Sequence, residues 1–158
     1  SIGIGVANLI FTLLGLYLID KAGRKPLMYI GSIGYIISLS LISIAFINSW
    51  EGYSVPLFLF IFIASHAIGQ GAVIWVFISE IFPNKIRAKG QSLGSSVHWI
   101  LAAIITLVMP SALSSFDNPG YVFLFFALMM VFQLIFVIFI MPETKGISLE
   151  NLSERLTK

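Results

Sequence analysis

The chain has 158 residues, of which 58% are hydrophobic and only 10% are charged, and its mean hydropathy is +1.00. A soluble domain of this length does not need so much apolar surface, so the composition indicates an integral membrane protein. The net charge of +2 comes from cations grouped in the loops and gives no case for nucleic-acid binding, and the absence of cysteine excludes a disulfide framework and cysteine chemistry.

Five apolar segments are long enough to cross a hydrocarbon core of about 30 Å. They cover about residues 2–19, 27–48, 56–82, 92–114 and 121–141. The short alternating strands of a membrane barrel do not occur, so the predicted fold is all-α, with five transmembrane helices. Residues 142–158 form a polar tail, in which Ser148 could cap a short amphipathic helix with Leu149, Leu152 and Leu156 on one face.

The loops predict the orientation of the chain in the membrane. The cations lie in alternate connections and in the tail: Lys21, Arg24, Lys25, Lys85, Arg87, Lys89, Lys145, Arg155 and Lys158. The two remaining loops carry Glu51 and Asp117 but no cation, so the positive-inside rule places the tail in the cytoplasm and Ser1 outside. An outside N-terminus without an initiator methionine or a signal segment leads us to expect a piece of a longer chain.

The first span contains Asn8, at a depth of about 18 Å from the cytoplasmic end. An amide at that depth needs a partner, which could be another helix or a ligand.

The segment Asp20–Pro26 is predicted to form the loop to the second span, with Gly23 as its permissive residue. Arg24 and Lys25 hold this loop at the cytoplasmic side, and we expect Asp20 near the positive N-terminus of the next helix. Small residues in the second span, such as Gly31 and Gly34, predict close approach of a neighbouring helix.

The third span is weakened by Gly69 and Gly71, which permit bending or close backbone approach, and Trp75 follows one turn later. Glu80 closes the span, and a carboxylate at that depth needs a cation, which we expect to be Arg87 or Arg24. A salt-bridged latch and a solvated interfacial acid are both compatible with the spacing. His66 has no second histidine at helical spacing, so no metal site is predicted.

His98 and Trp99 lie in the fourth span, which begins with the pattern Gly90–Gly94. Trp75 lies eight residues before Pro83 and His98 eight residues after Gly90, which predicts the same depth on neighbouring helices. Indole faces together with a few hydrogen-bonding groups are typical of a sugar site, although both tryptophans could instead face lipid.

Four ordered motifs carry a resemblance to a known family. They are DKAGRKP at 20–26, GQGAVIWVFISEIFP followed by NKIRAKG at 69–90, the pair HW at 98–99, and PETKGISLE at 142–150. Together they closely resemble the sugar porter family of the major facilitator superfamily, and bacterial sugar and proton symporters most of all. The resemblance covers the whole chain and implies helices eight to twelve of a twelve-helix transporter, within its C-terminal six-helix bundle.

The resemblance also implies roles for individual residues. Asn8 and Trp75 stand where the family contacts the sugar, Trp99 where it has a second aromatic residue of the site, and His98 where it usually has an amide; Gly71 completes this predicted substrate site. The residues that match the cytoplasmic charge network of the family are Asp20, Arg24, Lys25, Glu80 and Arg87. No cofactor or metal is implied, and the bilayer, the sugar and the missing N-terminal half are the expected partners.

The leading hypothesis is therefore the C-terminal part of a secondary-active monosaccharide transporter in a bacterial inner membrane, coupled to protons through a carboxylate in the missing half. A facilitator for another neutral solute, such as a polyol, is the first alternative. The second is a membrane interaction protein that does not transport. An enzyme is disfavoured, since no base, nucleophile or metal set converges in the sequence.

Overall fold

The computed structural model describes residues 2–147, and its regular secondary structure over that range is helical. The helices are α1 Ile2–Ala22, α2 Arg24–Ile47, α3 Ser54–Ile68, α4 Gln70–Glu80, α5 Arg87–Ser115 and α6 Gly120–Phe139. Because only Gly69 separates α3 from α4, these helices make five segments long enough to cross a membrane. The predicted all-α fold with five transmembrane segments is confirmed.

The helices run past the predicted apolar spans at their charged ends. α2 begins at Arg24 rather than at residue 27, and α5 begins at Arg87 rather than at residue 92. Hydropathy marks the part of a helix that lies in hydrocarbon, whereas the backbone hydrogen bonds continue into the interface. The helix predicted in the tail around Ser148 lies outside the described residues.

The loop predicted for Asp20–Pro26 is wrong, because Gly23 alone separates α1 from α2. Gly23 has φ 99° and ψ 169°, a region that is nearly exclusive to glycine. One residue therefore reverses the chain between two membrane helices. The expectation for Asp20 is also wrong, because it lies in the last turn of α1 and is not at the start of α2.

Substitution of Gly23 by alanine should destabilise the protein by about 2 to 3 kcal/mol, because the backbone would be strained and the new Cβ would also collide with a neighbour. Its Cβ would lie 2.7 Å from a carboxylate oxygen of Glu143. Gly52→Ala is the matched control, since Gly52 also has positive φ (82°) but no atom lies within 4 Å of a Cβ there. Thermal unfolding in detergent should show a larger loss of stability for Gly23→Ala than for Gly52→Ala. Equal losses would mean that backbone strain accounts for the whole effect and that the contact with Glu143 contributes nothing.

α2 is the central helix of the described bundle and packs mainly against α6 and α3. Tyr35, Leu39 and Ala127 form one buried cluster of this packing. A second cluster lies where α1, α2, α4 and α6 meet near Gly23, and its buried members are Ile19, Leu27, Met28, Val73, Val137 and Met141. The second cluster packs next to the charged ends of α2 and α4.

Glycines bring the α3–α4 junction against α2. A Cβ on Gly69 would lie 2.7 Å from the Cα of Gly31, so the two backbones touch and neither residue has room for a side chain. The predicted close approach at the small residues of the second span is confirmed. The contact fixes the place at which the third span changes from α3 to α4.

α5 contacts mainly α4 among the described helices. A Cβ on Gly90 would lie 2.4 Å from the ring of Phe82, and one on Gly94 would lie 3.1 Å from Ile78, so this glycine pair forms the contact. Further along, an apolar groove of about 620 Å³ separates α5 from α6. Six of its lining residues are Ile104, Val108, Met109, Val122, Phe125 and Met129.

Candidate functional site

Three rings from α4 and α5 lie side by side at the surface of the bundle. The centroids of Trp75 and His98 are 5.1 Å apart with an interplanar angle of 73°, and those of His98 and Trp99 are 5.3 Å apart at 85°. Trp75 is 40% exposed and Trp99 65% exposed, so both indoles offer surface to a ligand. The predicted equal depth of Trp75 and His98 is confirmed by the contact between their rings.

Gly71 lies one helical turn before Trp75, but the space left by its missing side chain is already occupied. A Cβ at Gly71 would lie 3.0 Å from the carbonyl oxygen of His66 and 3.1 Å from its Nε2. The exposed imidazole of His66 therefore folds over the junction between α3 and α4. It stands on the N-terminal side of the same helix that carries Trp75.

Asn8 is not joined to these rings by any contact in the described part of the chain. It is exposed on α1, and none of the hydrogen bonds or ring contacts within residues 2–147 involves it. Of the five residues predicted for a substrate site, the structure thus brings together Trp75, His98 and Trp99, with Gly71 one turn away.

The exposed rings offer flat apolar faces and one imidazole with both a donor and an acceptor when neutral. This combination suits a neutral ligand with many hydroxyl groups. Within residues 2–147, no cluster of three or more His, Cys, Asp or Glu side chains could hold a metal ion.

A second group of polar residues lies at the charged ends of α2 and α4. Two nitrogens of the Arg24 guanidinium bond the two carboxylate oxygens of Glu80, at 2.6 Å and 3.0 Å, and its third nitrogen donates to the carbonyl oxygen of Ile19 at 3.1 Å. The Thr144 hydroxyl also donates to Glu80, at 2.5 Å. Of the two cations expected for Glu80, the structure therefore pairs it with Arg24, which is distant in sequence, and not with Arg87 from the adjacent loop.

The other three residues of the predicted charge network are less involved. Asp20 is 3.5 Å from Arg24, but its side chain is 81% exposed. Lys25 donates to the carbonyl oxygen of Ile138 at 3.0 Å. Two guanidinium nitrogens of Arg87 are buried and have no hydrogen-bond partner within residues 2–147.

Glu143 caps the N-terminus of α2, a role that the sequence did not reveal. Its carboxylate accepts hydrogen bonds from the backbone N–H groups of Arg24 (3.0 Å), Lys25 (2.9 Å), Thr144 (3.0 Å) and Lys145 (2.9 Å). Burial favours the neutral form, but these donors outweigh it and hold the pKa of Glu143 below its ordinary value. The helix dipole favours a negative charge at the same place. The only hint in the sequence was an acid after Pro142.

Substitution of Glu143 by glutamine should destabilise the protein by about 1 kcal/mol, since an amide places N–H groups against backbone donors. Because the folded-state pKa is lowered, the wild-type carboxylate contributes stability above its unfolded pKa and loses it as the pH falls through the folded value. The variant should lose this acid-side dependence when unfolding is followed from neutral to acid pH. Glu51→Gln, in an exposed loop, is the control, and parallel profiles for wild type and Glu143→Gln would contradict the prediction.

The partners in two sets of polar contacts inside the bundle were also not predicted. The hydroxyl of Tyr35 is hydrogen-bonded to Nδ1 of His66. The side-chain amides of Gln70 and Gln133 both donate to the buried hydroxyl of Ser32, at 3.2 Å and 3.4 Å. The polar residues stand out in their apolar spans, but their pairing depends on the packing of four helices.

Comparison with known proteins places the chain in a family. The family described as "Sugar (and other) transporter" matches residues 1–156. The D-xylose-proton symporter of Escherichia coli K12 is 34% identical over 157 residues, which are 96% of this chain and 32% of that protein. The facilitated trehalose transporter Tret1 of Bombyx mori is 35% identical over 164 residues, covering 99% of this chain and 32% of that protein.

A solved structure agrees with these matches. The structure of the proton:xylose symporter of the major facilitator superfamily bound to 6-bromo-6-deoxy-D-glucose superposes with a TM-score of 0.90 at 34% identity. The match covers 99% of this chain and 34% of that one. The chain thus spans about a third of the length of the relatives it matches.

Proposed function

Because the chain belongs to the sugar (and other) transporter family, a sugar porter family of the major facilitator superfamily, we propose that it is the C-terminal part of a secondary-active monosaccharide transporter. The observation that carries the proposal is the cluster of Trp75, His98 and Trp99, whose exposed rings lie beside the interrupted third span. In transporters of this architecture the substrate lies near the middle of the membrane, between two bundles and next to discontinuous helices.

The ring cluster would form one wall of the substrate cavity. Indole faces can stack on the C–H face of a sugar ring, and the imidazole of His98 can bond a hydroxyl group. Asn8, on α1, would reach the sugar from another side of the cavity. Gly71 would contribute indirectly, since its missing side chain leaves the space that His66 occupies.

The charge cluster would hold the cytoplasmic side closed. Arg24 and Glu80 join α2 to α4, and Thr144 adds the segment after α6, so the pair fixes three elements within one bundle. Asp20 and Lys25 border the pair, and Arg87 has two buried guanidinium nitrogens without a hydrogen-bond partner within residues 2–147. We infer that release of this cluster accompanies opening to the cytoplasm.

Coupling to protons would depend on a residue outside this chain. The acidic residues within 2–147 are Asp20, Glu51, Glu80, Asp117 and Glu143, and all of them lie at or near the ends of helices or in loops. A carboxylate in the membrane interior is therefore to be sought in the other half of the transporter. The name of the related D-xylose-proton symporter supports proton coupling, while the trehalose relative is named a facilitated transporter.

The membrane orientation follows from the loops. With the Lys and Arg residues in alternate loops, the connection at Gly23, the connection from α4 to α5 and the tail would face the cytoplasm, across a bacterial inner membrane. The open groove between α5 and α6 would receive a further transmembrane helix of the same protein, since its lining is apolar and the relatives are about three times as long.

Uptake of radiolabelled sugars by proteoliposomes that contain the full-length transporter tests the proposal. We expect D-xylose or a hexose to accumulate under an inward proton gradient and a protonophore to abolish the accumulation. Equilibration without accumulation, insensitive to the protonophore, would support a facilitator instead. Uptake of polyols alone would support the first alternative, and no uptake with intact, folded protein would support the interaction protein.

A further inference from the structure

The pair formed by Tyr35 and His66 fixes the position of a proton on the imidazole. Tyr35 is only 7% exposed, and its neighbours Leu39, Phe62 and Ala127 are apolar. His66 is the one hydrogen-bond partner of its hydroxyl within the described part of the chain. If Nδ1 carried a proton and donated it, the hydroxyl proton of Tyr35 would be buried without an acceptor. An unsatisfied buried donor costs more free energy than a typical hydrogen bond contributes. Tyr35 therefore donates to Nδ1, and the proton of neutral His66 lies on Nε2.

The Nε2–H group of His66 lies at the face of the bundle that carries the ring cluster. It lies against Gly71, at 3.1 Å from the place where a Cβ would be, and Trp75 follows Gly71 by one turn of α4. His98 of α5 contacts the ring of Trp75. Tyr35 and His98 are the titratable groups that face this imidazole from neighbouring elements of residues 2–147.

We propose that His66 is a specificity-determining residue of the sugar site, whose Nε2–H donates to one oxygen of the substrate, and that Tyr35 is the positioning residue that fixes this tautomer. The proposal rests on the proposed function. An imidazole held in this way is a donor only at Nε2, so it selects a substrate with an accepting oxygen at that point and rejects a derivative without it. His98 has no such fixed partner among the described residues and remains free to donate or accept.

The tautomer is tested without any substrate. The full-length transporter is labelled with ¹⁵N-histidine, and the signal of His66 is assigned by its loss in His66→Gln. We expect Nδ1 to show the shift of an unprotonated nitrogen in the wild type, and Tyr35→Phe to change that shift. Tyr29→Phe, on the same helix, is the control and should leave the signal unchanged. A protonated Nδ1 in the wild type would overturn the positioning role.

The donor role is tested with sugar derivatives. The sugar that binds among D-xylose, D-glucose and L-arabinose is compared with its monodeoxy derivatives by calorimetry, on wild type, His66→Phe and His66→Gln. We expect one derivative to bind wild type about tenfold more weakly than the parent sugar, a loss that vanishes in His66→Phe and returns in part in His66→Gln, whose amide can donate.

Equal losses in wild type and His66→Phe for every derivative would overturn the donor role, even though the sugar still binds. A wild-type transporter that binds none of the sugars would overturn the proposed function and the donor role together. These two failures are therefore distinguishable, and the tautomer measurement stands apart from both.

Discussion

Replacement of Trp75 by alanine should weaken sugar binding to the full-length transporter about tenfold or more, which corresponds to about 1.4 kcal/mol. Trp75 presents an indole that is 40% exposed and is held at its edge by the ring of His98, so the side chain is already oriented before a ligand arrives. Aromatic anchors of this kind carry a large share of binding energy because they offer a rigid apolar face. Calorimetry on purified protein measures the loss.

A second tryptophan supplies the control for this prediction. Trp50 lies in the loop before α3, is 47% exposed and contacts the ring of Phe58 at 6.4 Å, far along the chain from the ring cluster. Trp50→Ala should leave sugar affinity unchanged. Trp75→Phe should restore part of the affinity, since a phenyl ring keeps a flat apolar face. Wild-type affinity in Trp75→Ala would remove Trp75 from the substrate site and leave it as a surface residue.

Hydropathy predicted the five membrane segments because hydrocarbon offers no water to bond the backbone N–H and C=O groups. A long apolar segment there satisfies these groups within itself by forming a helix. The ends of the helices were less predictable. The sequence of α1 and α2 shows seven polar or small residues between two spans, and these look like a loop. In the structure Gly23 alone connects the two helices, because its backbone conformation, with φ 99°, reverses the chain at a single residue.

The partners of charged residues were predicted only in part, because they come from distant parts of the chain. Arg87 and Arg24 were both expected partners of Glu80, and the structure selects Arg24, 56 positions away in sequence. Asp20 stood beside the start of α2, yet Glu143 from the end of the chain caps it. The sequence left the cation at Glu80 open and indicated the wrong carboxylate for the start of α2, and the packing of α1, α4 and α6 against α2 decides both.

The same limit applies to the candidate substrate site. Trp75 and His98 could be matched by counting residues from Pro83 and Gly90, because α4 ends and α5 begins at one short loop. The pair of Tyr35 and His66 could not, since it depends on how α2 and α3 rotate about their axes. That rotation is set by the contact between Gly31 and Gly69, where the two backbones touch.

Separation of Arg24 from Glu80 should have the largest effect among the charged residues, because the pair is largely buried. The exposed fractions of the two side chains are 11% and 20%, and the guanidinium bonds both carboxylate oxygens. Loss of one partner leaves a charge with little water around it, and for fully buried pairs this costs about 3 to 5 kcal/mol. For this partly buried pair we expect a loss of about 2 to 3 kcal/mol in the free energy of unfolding for Arg24→Gln.

Glu80→Gln should be milder, since the amide oxygen still accepts from Arg24, but it should lower transport without abolishing sugar binding. The cluster lies at the charged ends of α2 and α4 rather than at the ring cluster, so its loss acts on the closed state and not on the contacts to the sugar. Uptake into proteoliposomes and calorimetric binding, measured on the same preparation, separate the two effects. Unchanged uptake by Glu80→Gln would count against a role in closing the cytoplasmic side.

A double-mutant cycle isolates the contribution of the pair itself. Arg24 also donates to the carbonyl oxygen of Ile19, and Glu80 also accepts from Thr144, so each single substitution removes more than the shared ion pair. In the cycle of Arg24→Gln, Glu80→Gln and the double variant, those separate losses cancel, and a coupling of about 1.5 kcal/mol should remain. Asp117→Asn, an exposed loop residue, should show no coupling to either position. Additive effects of Arg24→Gln and Glu80→Gln would mean that the two side chains are adjacent without holding α2 and α4 together.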